Sequence, residues 1–278
     1  MKGKFKKIVI SIFLLGGIFK GGTINANELK YVQPFQLNPI NDGIQLGLGL
    51  SLSGSALLCD KVFHIKKPQY NPEDWNINNI PVFDRWLMRP YNHTLNIVGT
   101  GTVALSVIAP AIFAIMPPKE WLTVGTMYAE TMLIAYGIKD WIKLLVYRAR
   151  PYMYFDGYPQ KKLENGDWCY SFPSAHTTFA FAGAAFTTFV FSQCYPDSNW
   201  KYLVGGLSFG IAALTGCLRI ASGNHFLSDV LMGAVIGTTC GIVVPLLHMS
   251  SFYNCFQKDA GAARATVSPV GFNISISF

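Results

Sequence analysis

Five long apolar runs dominate the chain after its first third: Leu95–Met116, Trp121–Val146, Ser174–Tyr195, Trp200–Ile220 and His225–His248. Each supplies about 20 residues, enough for a helix rising ~1.5 Å per residue to cross ~30 Å of hydrocarbon. Pro117-Pro118 separates the first two runs, and Pro196-Asp197-Ser198-Asn199 breaks the chain before Trp200. Trp121 and Trp200 each begin a run, where an indole ring anchors at headgroup level. Buried helices of a soluble bundle would be equally apolar. Five in succession, rich in Gly, Ala and Thr, favour spans packed against one another in a bilayer. The pattern predicts an all-α fold, a polytopic membrane helical bundle.

The chain before and after these runs is patterned differently. Residues 27–94 form a polar region containing one ambiguous stretch, 44–58. There Ile44, Leu46, Leu48, Leu50 and Leu52 alternate as in a strand, but the intervening Gly and Ser also suit a tightly packed helix, the reading preferred here. Residues 1–26 read as a targeting segment. Lys2, Lys4, Lys6 and Lys7 precede the apolar run Ile8–Phe19, followed by small and polar residues up to Ala26. Either cleavage follows Ala26, with Ile24 bulky for its position, or the segment stays as a signal anchor. Residues 95–248 make the core. In the tail, 249–278, Phe272, Ile274, Ile276 and Phe278 alternate with small or polar residues, which predicts one short surface strand.

Composition narrows the function. Apolar residues make up 51% of the chain and charged residues only 13%, about half the usual charged share, as befits a protein partly solvated by lipid. The net charge of +7 comes from the amino terminus and from the regions described next. No basic run alternates with aromatic residues in a polar setting, so nucleic acid is not an expected partner. None of the six cysteines is spaced as Cys-x-x-Cys, so they carry no metal signature. Cys217 and Cys240 lie within apolar runs as packing residues. Cys59, Cys169, Cys194 and Cys255 lie near run ends, where an oxidising compartment could pair them.

The cationic and imidazole side chains fall in three clusters at the ends of apolar runs: Lys143 to Pro151, Ser171 to His176, and Leu218 to Asp229. If each run crosses once, all three share one face. Lys143 and Arg150 are seven residues apart, which on a continuous helix ended by Pro151 places both on one side. Arg offers paired donors to phosphate oxygens and Lys a compact charge. Ser174 sits at a helix N-cap position, where the first N–H groups can cradle an anion. His225 and Asp229 are four apart, so on one helix the carboxylate can hold one imidazole nitrogen protonated and leave the other free to attack. With Lys143, Arg150 and Arg219 neutralising an anion, His225 suits a covalent nucleophile and His176 the acid that protonates the leaving group. Singly, a Lys or Arg here would snorkel, and a His or Ser would be a cap or a satisfied polar group. Lys139, Asp140 and Arg148 lie nearby without matching the pattern; snorkelling is the expectation for Lys139. Glu130, inside an apolar run, is either functional or a packed, hydrogen-bonded carboxyl.

Taken in order, Lys143-x6-Arg150-Pro151, Pro173-Ser174-x-His176 and Arg219-x5-His225-x3-Asp229 resemble the type 2 phosphatidic acid phosphatases, whose site is shared with vanadium haloperoxidases and bacterial acid phosphatases. The resemblance covers roughly residues 95–248. It implies a six-helix core and cofactor-free, metal-independent hydrolysis of a phosphomonoester or diphosphate through a phosphohistidine at His225. His176 would be the general acid and Asp229 the partner of His225. Lys143, Arg150, Ser174, Arg219 and the backbone at Ala175 would bind phosphate. Two positions depart from the family pattern: Ala175 replaces a usual Gly, keeping the N–H, and Leu218 replaces a usual Ser, removing a hydroxyl. The implied partner is a phosphorylated lipid (phosphatidate, a prenyl diphosphate or a lipid A type) in a bilayer; nothing in the sequence speaks to oligomeric state. Transfer to an alcohol instead of water, or a secreted soluble acid phosphatase, are the alternative readings. A basic amino terminus stays cytoplasmic. With Ile8–Phe19 retained as a span and 44–58 not crossing, the site faces the periplasm; with the signal cleaved and 44–58 crossing, it faces the cytoplasm. The resembled family's extracytoplasmic site favours the periplasmic face of a bacterial inner membrane.

Overall fold

The computed structural model describes residues 30–63, 71 and 76–250, and the backbone of 263–268 and 271–276. The targeting segment 1–26 and Cys255 lie outside the described residues. Eight α-helices occur among those residues: α1 (Pro39–Lys61), α2 (Val82–Arg85), α3 (His93–Ile108), α4 (Trp121–Val146), α5 (Gln160–Glu164), α6 (Ala175–Cys194), α7 (Trp200–Ala221) and α8 (Leu227–Leu247). A 3-10 segment, Ala109–Ile115, prolongs α3.

Local chemistry sets where these helices start. Asn38 caps α1 by accepting from Ile40 N and Asn41 N, and Pro39 supplies a pre-set φ at the first helical position. The stretch 44–58 is thus the middle of a longer helix. Four residues apart on one helix face, Gly49 and Ser53 turn toward α4, and Ser53 Oγ donates to the Leu133 carbonyl at 2.7 Å. On the facing helix a Cβ at Gly137 would meet Leu52 Cβ at 2.5 Å and Ser53 N at 2.8 Å, so only Gly permits this approach.

Helix α6 occupies the centre, packing most extensively on α8 and also on α7, α3 and α4. Its buried positions include Ala180, Ala182, Ala184 and Ala185, so neighbours approach closely. Gly233, Gly237 and Gly241 recur every fourth residue along one face of α8 and meet it. A Cβ at Gly237 would lie 2.2 Å from the Thr178 carbonyl oxygen. Larger apolar side chains gather at the end away from the motifs, around Phe113, Met127, Phe186 and Phe191.

Among the described residues, three helical segments are long and apolar enough to cross a membrane: His93–Ile115, Trp200–Ala221 and Leu227–Leu247. The other two runs are helical but more polar. Helix α4 carries Glu130, Lys139, Asp140 and Lys143, and the central α6 carries Thr177, Thr178, Thr187 and Thr188. The tail holds two strands rather than one. Strand β1 (Ala263–Ser268) pairs antiparallel with β2 (Gly271–Ile276), from Ala263 opposite Ile276 to Ser268 opposite Gly271. A strand needs a partner for its backbone groups, and here the partner is the less clearly alternating segment just before it.

Candidate active site

One end of the bundle encloses a cavity of 510 Å³ whose walls include Lys143, Arg150, Ala175, His176, Arg219 and His225. The carboxyl-terminal ends of α4 and α7 and the amino-terminal ends of α6 and α8 deliver them. Ser174 and Asp229 are not in its lining; both stand behind it, fully buried.

Lys143 and Arg150 reach the cavity by a route other than helical periodicity. Helix α4 stops at Val146, and Tyr147 takes a left-handed conformation (φ 45°) that reverses the chain. Arg150, preceding Pro151, is extended (φ −79°, ψ 151°), as the proline ring demands of its neighbour. The two cations therefore do not share a helix face; the turn brings them together. Lys143 Nζ donates to the Tyr170 carbonyl at 2.7 Å. Arg150 donates through Nε to the Asp167 carbonyl, through Nη2 to Asp167 Oδ1, and through Nη1 to the Asn224 carbonyl and to His225 Nε2 at 3.0 Å.

The last of these contacts assigns the imidazole tautomer. A guanidinium only donates, so His225 Nε2 accepts and its hydrogen sits on Nδ1. Nδ1 faces Asp229 Oδ2 at 3.5 Å, too long for a hydrogen bond, and makes no other. Helix α8 begins at Leu227, so His225 precedes it and the pair does not have the on-helix geometry expected from spacing. Asp229 instead caps α8 by accepting from Phe226 N at 2.8 Å, and it also accepts from Ser171 Oγ and from Arg148 Nη1 at 2.6 Å.

Ser174 is the N-cap of α6, with its Oγ accepting from Thr177 N at 3.4 Å and from Thr177 Oγ1 at 2.9 Å, and its own N–H donates to the Asp229 carbonyl. Its neighbours Ala175 and His176 line the cavity at a helix start, where N–H groups have no intrahelical acceptor. His176 Nε2 lies 3.3 Å from Thr100 Oγ1. Arg219, 2% exposed, donates through Nη1 to Asn96 Oδ1 at 2.8 Å, while its buried Nε has no partner. Leu218, the residue replacing a usual hydroxyl, points at α3, where a Cβ on Gly99 would sit 3.4 Å from its own Cβ.

Several residues here take roles the sequence reading did not assign to them. Arg148 joins three elements, donating to Asp229, to Ser228 Oγ and to Asp84 Oδ2 at 2.7 Å, with its guanidinium 4.0 Å above the Phe226 ring. Asp84, 1% exposed, also accepts from Ser228 N and Oγ at the start of α8. Asp167 pairs with both Arg150 and Lys162, whose Nζ is 2.8 Å away. Lys139, expected to snorkel, is 4% exposed, lines the cavity, pairs with Asp140 and lies 4.3 Å over the Tyr136 ring. Cys59, Cys194, Cys217 and Cys240 are free thiols.

The electrostatics follow from this packing. Burial, reinforced by Arg150 and Arg219, holds His225 well below the usual imidazole range, so the ring is neutral. Burial alone would raise the Asp167 carboxyl, but Arg150 and Lys162 outweigh it and hold the group well below the usual carboxylate range. The result is an uncharged imidazole whose Nε2 lone pair is covered by Arg150, in a cavity also lined by Lys143 and Arg219.

Residues 124–253 match the family model described as the PAP2 superfamily. Over 71 residues the chain is 39% identical to a lipid A 1-phosphatase of Porphyromonas gingivalis, covering 26% of this chain and 15% of that protein. Over 155 residues it is 32% identical to lipid phosphate phosphatase 1 of Arabidopsis thaliana, covering 49% of this chain and 46% of that protein. The chain thus spans less than half the length of these curated relatives. The crystal structure of Aquifex aeolicus LpxE is similar at 24% identity and a TM-score of 0.42, covering 60% of this chain and 96% of that one.

Proposed function

We propose, from the match of residues 124–253 to the PAP2 superfamily model, that the protein is a membrane-embedded lipid phosphatase that works through a phosphohistidine. The observation that carries the reading is the lining of one cavity by Lys143, Arg150, His176, Arg219 and His225. Three helical segments apolar enough to span a bilayer support a substrate whose phosphate lies at headgroup depth and enters the cavity laterally. Phosphatidate, a prenyl diphosphate and a lipid A type phosphate all have this form.

In the mechanism, the substrate phosphate docks among Lys143, Arg150, Arg219 and the start of α6. It displaces the Arg150 donor from His225 Nε2. The freed lone pair attacks phosphorus in line, forming the N–P bond as the P–O bond to the lipid breaks. His176, protonated as the docking phosphate offsets the cations around it, gives that proton to the departing oxygen. Water then attacks the phosphohistidine, losing its proton to His176, and phosphate leaves. Asp229, which accepts from Arg148 and Ser171, stands 3.5 Å from His225 Nδ1, facing the positive charge the ring gains. The phosphate's charge is neutralised by side-chain cations, so the scheme calls for no metal or cofactor.

We place the protein in a bacterial inner membrane with the cavity on the periplasmic face. A single cysteine in loop 152–168, with native cysteines removed, should react with a membrane-impermeant reagent in intact cells; protection would contradict that placement. For the chemistry, the protein in detergent micelles containing a chelator should release phosphate from phosphatidate. His225→Ala and His176→Ala should each lower release by about 10²–10⁴-fold or more. Full turnover in both variants would end the proposal.

A further inference from the structure

At the end of the bundle away from the cavity, three chelating side chains meet: Asp42 in the first turn of α1, Glu130 in the middle of α4 and His248 capping the end of α8. Asp42 Oδ1 and Glu130 Oε2 lie 3.0 Å and 3.2 Å from His248 Nε2. One ligand atom from each residue lies within 4.8 Å of the others. Glu130 is 0% exposed and His248 is 1% exposed.

His248 Nδ1 is 2.9 Å from the Val244 carbonyl, so that nitrogen carries hydrogen and donates. An imidazolium could also donate through Nε2 to Asp42, and that pair would then be satisfied. Glu130 would not be. Both its carboxylate oxygens are buried without a hydrogen bond, and Oε2, although near Nε2, is not aligned to accept from it. Leaving a buried carboxylate unpaired is costly.

A divalent cation among the three resolves this. Two carboxylates and a neutral imidazole carry two negative charges, which such an ion cancels. Donor atoms about 2.0–2.1 Å from a tetrahedral zinc ion are about 3.3 Å from one another, close to the separations from Nε2. A ligating imidazole ordinarily donates its second N–H to a carbonyl or carboxylate, as His248 does to Val244. The imidazole donor selects a first-row transition ion over Mg²⁺ or Ca²⁺.

We propose that Asp42, Glu130 and His248 form a zinc-type metal site that ties the start of α1, the middle of α4 and the end of α8 together. It lies far from the phosphate chemistry: the 21-residue helix α8, about 31 Å long at helical rise, separates His225 from His248.

The test uses the full chain in detergent, stripped with chelator and supplied with zinc chloride alone. Elemental analysis after desalting should find about one zinc per chain. Zinc at a hundredfold excess over its Kd should raise Tm by about 5 °C or more. Cobalt(II) loading should give the intense visible absorption of a low-coordinate ion. Glu130→Gln should lower bound zinc at least tenfold, while a His176→Ala, His225→Ala double variant should keep it. Zinc below a tenth of an equivalent in the wild type, with Tm unmoved, would overturn the proposal and leave an imidazolium–carboxylate pair. Zinc retained in Glu130→Gln would overturn it equally. Should Glu130→Gln fail to fold, the wild-type stoichiometry, Tm and cobalt spectrum still decide.

Discussion

The two ends of this bundle bury charge in opposite ways. At the motif end, Lys143, Arg150 and Arg219 surround a neutral His225, and the carboxylate Asp229 is held behind the wall by Arg148 and Ser171. At the other end, Asp42 and Glu130 converge on His248 and, among the described residues, no Lys or Arg lies within ion-pair distance of either carboxylate. At the motif end cations outnumber the carboxylates that pair with them, Asp140 and Asp167; at the other end two carboxylates share one imidazole. Buried groups of one sign are costly unless matched. The difference teaches why the two proposed ligands have opposite charge, a phosphate for the cationic end and a metal for the acidic one.

That contrast can be broken at several points. The largest effect belongs to the anion-binding end. Arg150→Ala should lower kcat/KM for lipid phosphate by about 10²–10³-fold, as for loss of one pre-placed donor. Arg150→Lys should recover only part, because the fork that serves Asp167, Asn224 and His225 together is gone. Equal activity in all three proteins would mean that the cationic wall does not bind the substrate.

Next in size is Arg148→Ala, which strips a partner from two buried carboxylates, Asp84 and Asp229. Chemical denaturation should show a loss of about 3–5 kcal/mol. Activity should fall as well, through the misplaced start of α8. A loss below 1 kcal/mol would show that the carboxylates are satisfied without it. Gly237→Ala inserts a methyl against the Thr178 carbonyl of α6 and should cost about 1–3 kcal/mol. Because that contact lies between the two ends, kcat in the folded fraction should change little.

The smallest effect is a pH dependence. The folded pKa of Asp167 is depressed, so its pairing with Arg150 and Lys162 contributes stability above its unfolded value of about 3.9 and loses it as pH falls through the folded value. Wild type should therefore be more stable than Asp167→Asn at pH 6, and the gap should close as pH drops below about 4. A gap that widened in acid would reverse the sign assigned here.

The five apolar runs made the helices legible, because a buried or membrane-spanning helix leaves a long uninterrupted signal. The Pro173-Ser174 start of α6 was legible too, since an N-cap is written in adjacent residues. Features that depend on distant contacts were not. Helix α4 was read through to Arg150 because nothing between Val146 and Pro151 is a helix breaker; the left-handed Tyr147 packs on Tyr170, far away in sequence. Asp84 sits in a polar connection with no period, and only folding reveals that it anchors Arg148 and the start of α8. Glu130 was recognisable as unusual in an apolar run. Its meeting with Asp42 and His248 could not be, since those residues lie 88 and 118 positions away.

The central claim is that phosphorus passes through His225 Nε2, and rapid quenching tests it most directly. The protein is mixed with a lipid phosphate labelled in its phosphoryl group, stopped in alkaline denaturant within one turnover, and digested for peptide mapping. The account predicts acid-labile, alkali-stable label on the peptide containing His225, absent from His225→Ala. Label confined to another residue, or turnover by His225→Ala at the wild-type rate, would contradict it.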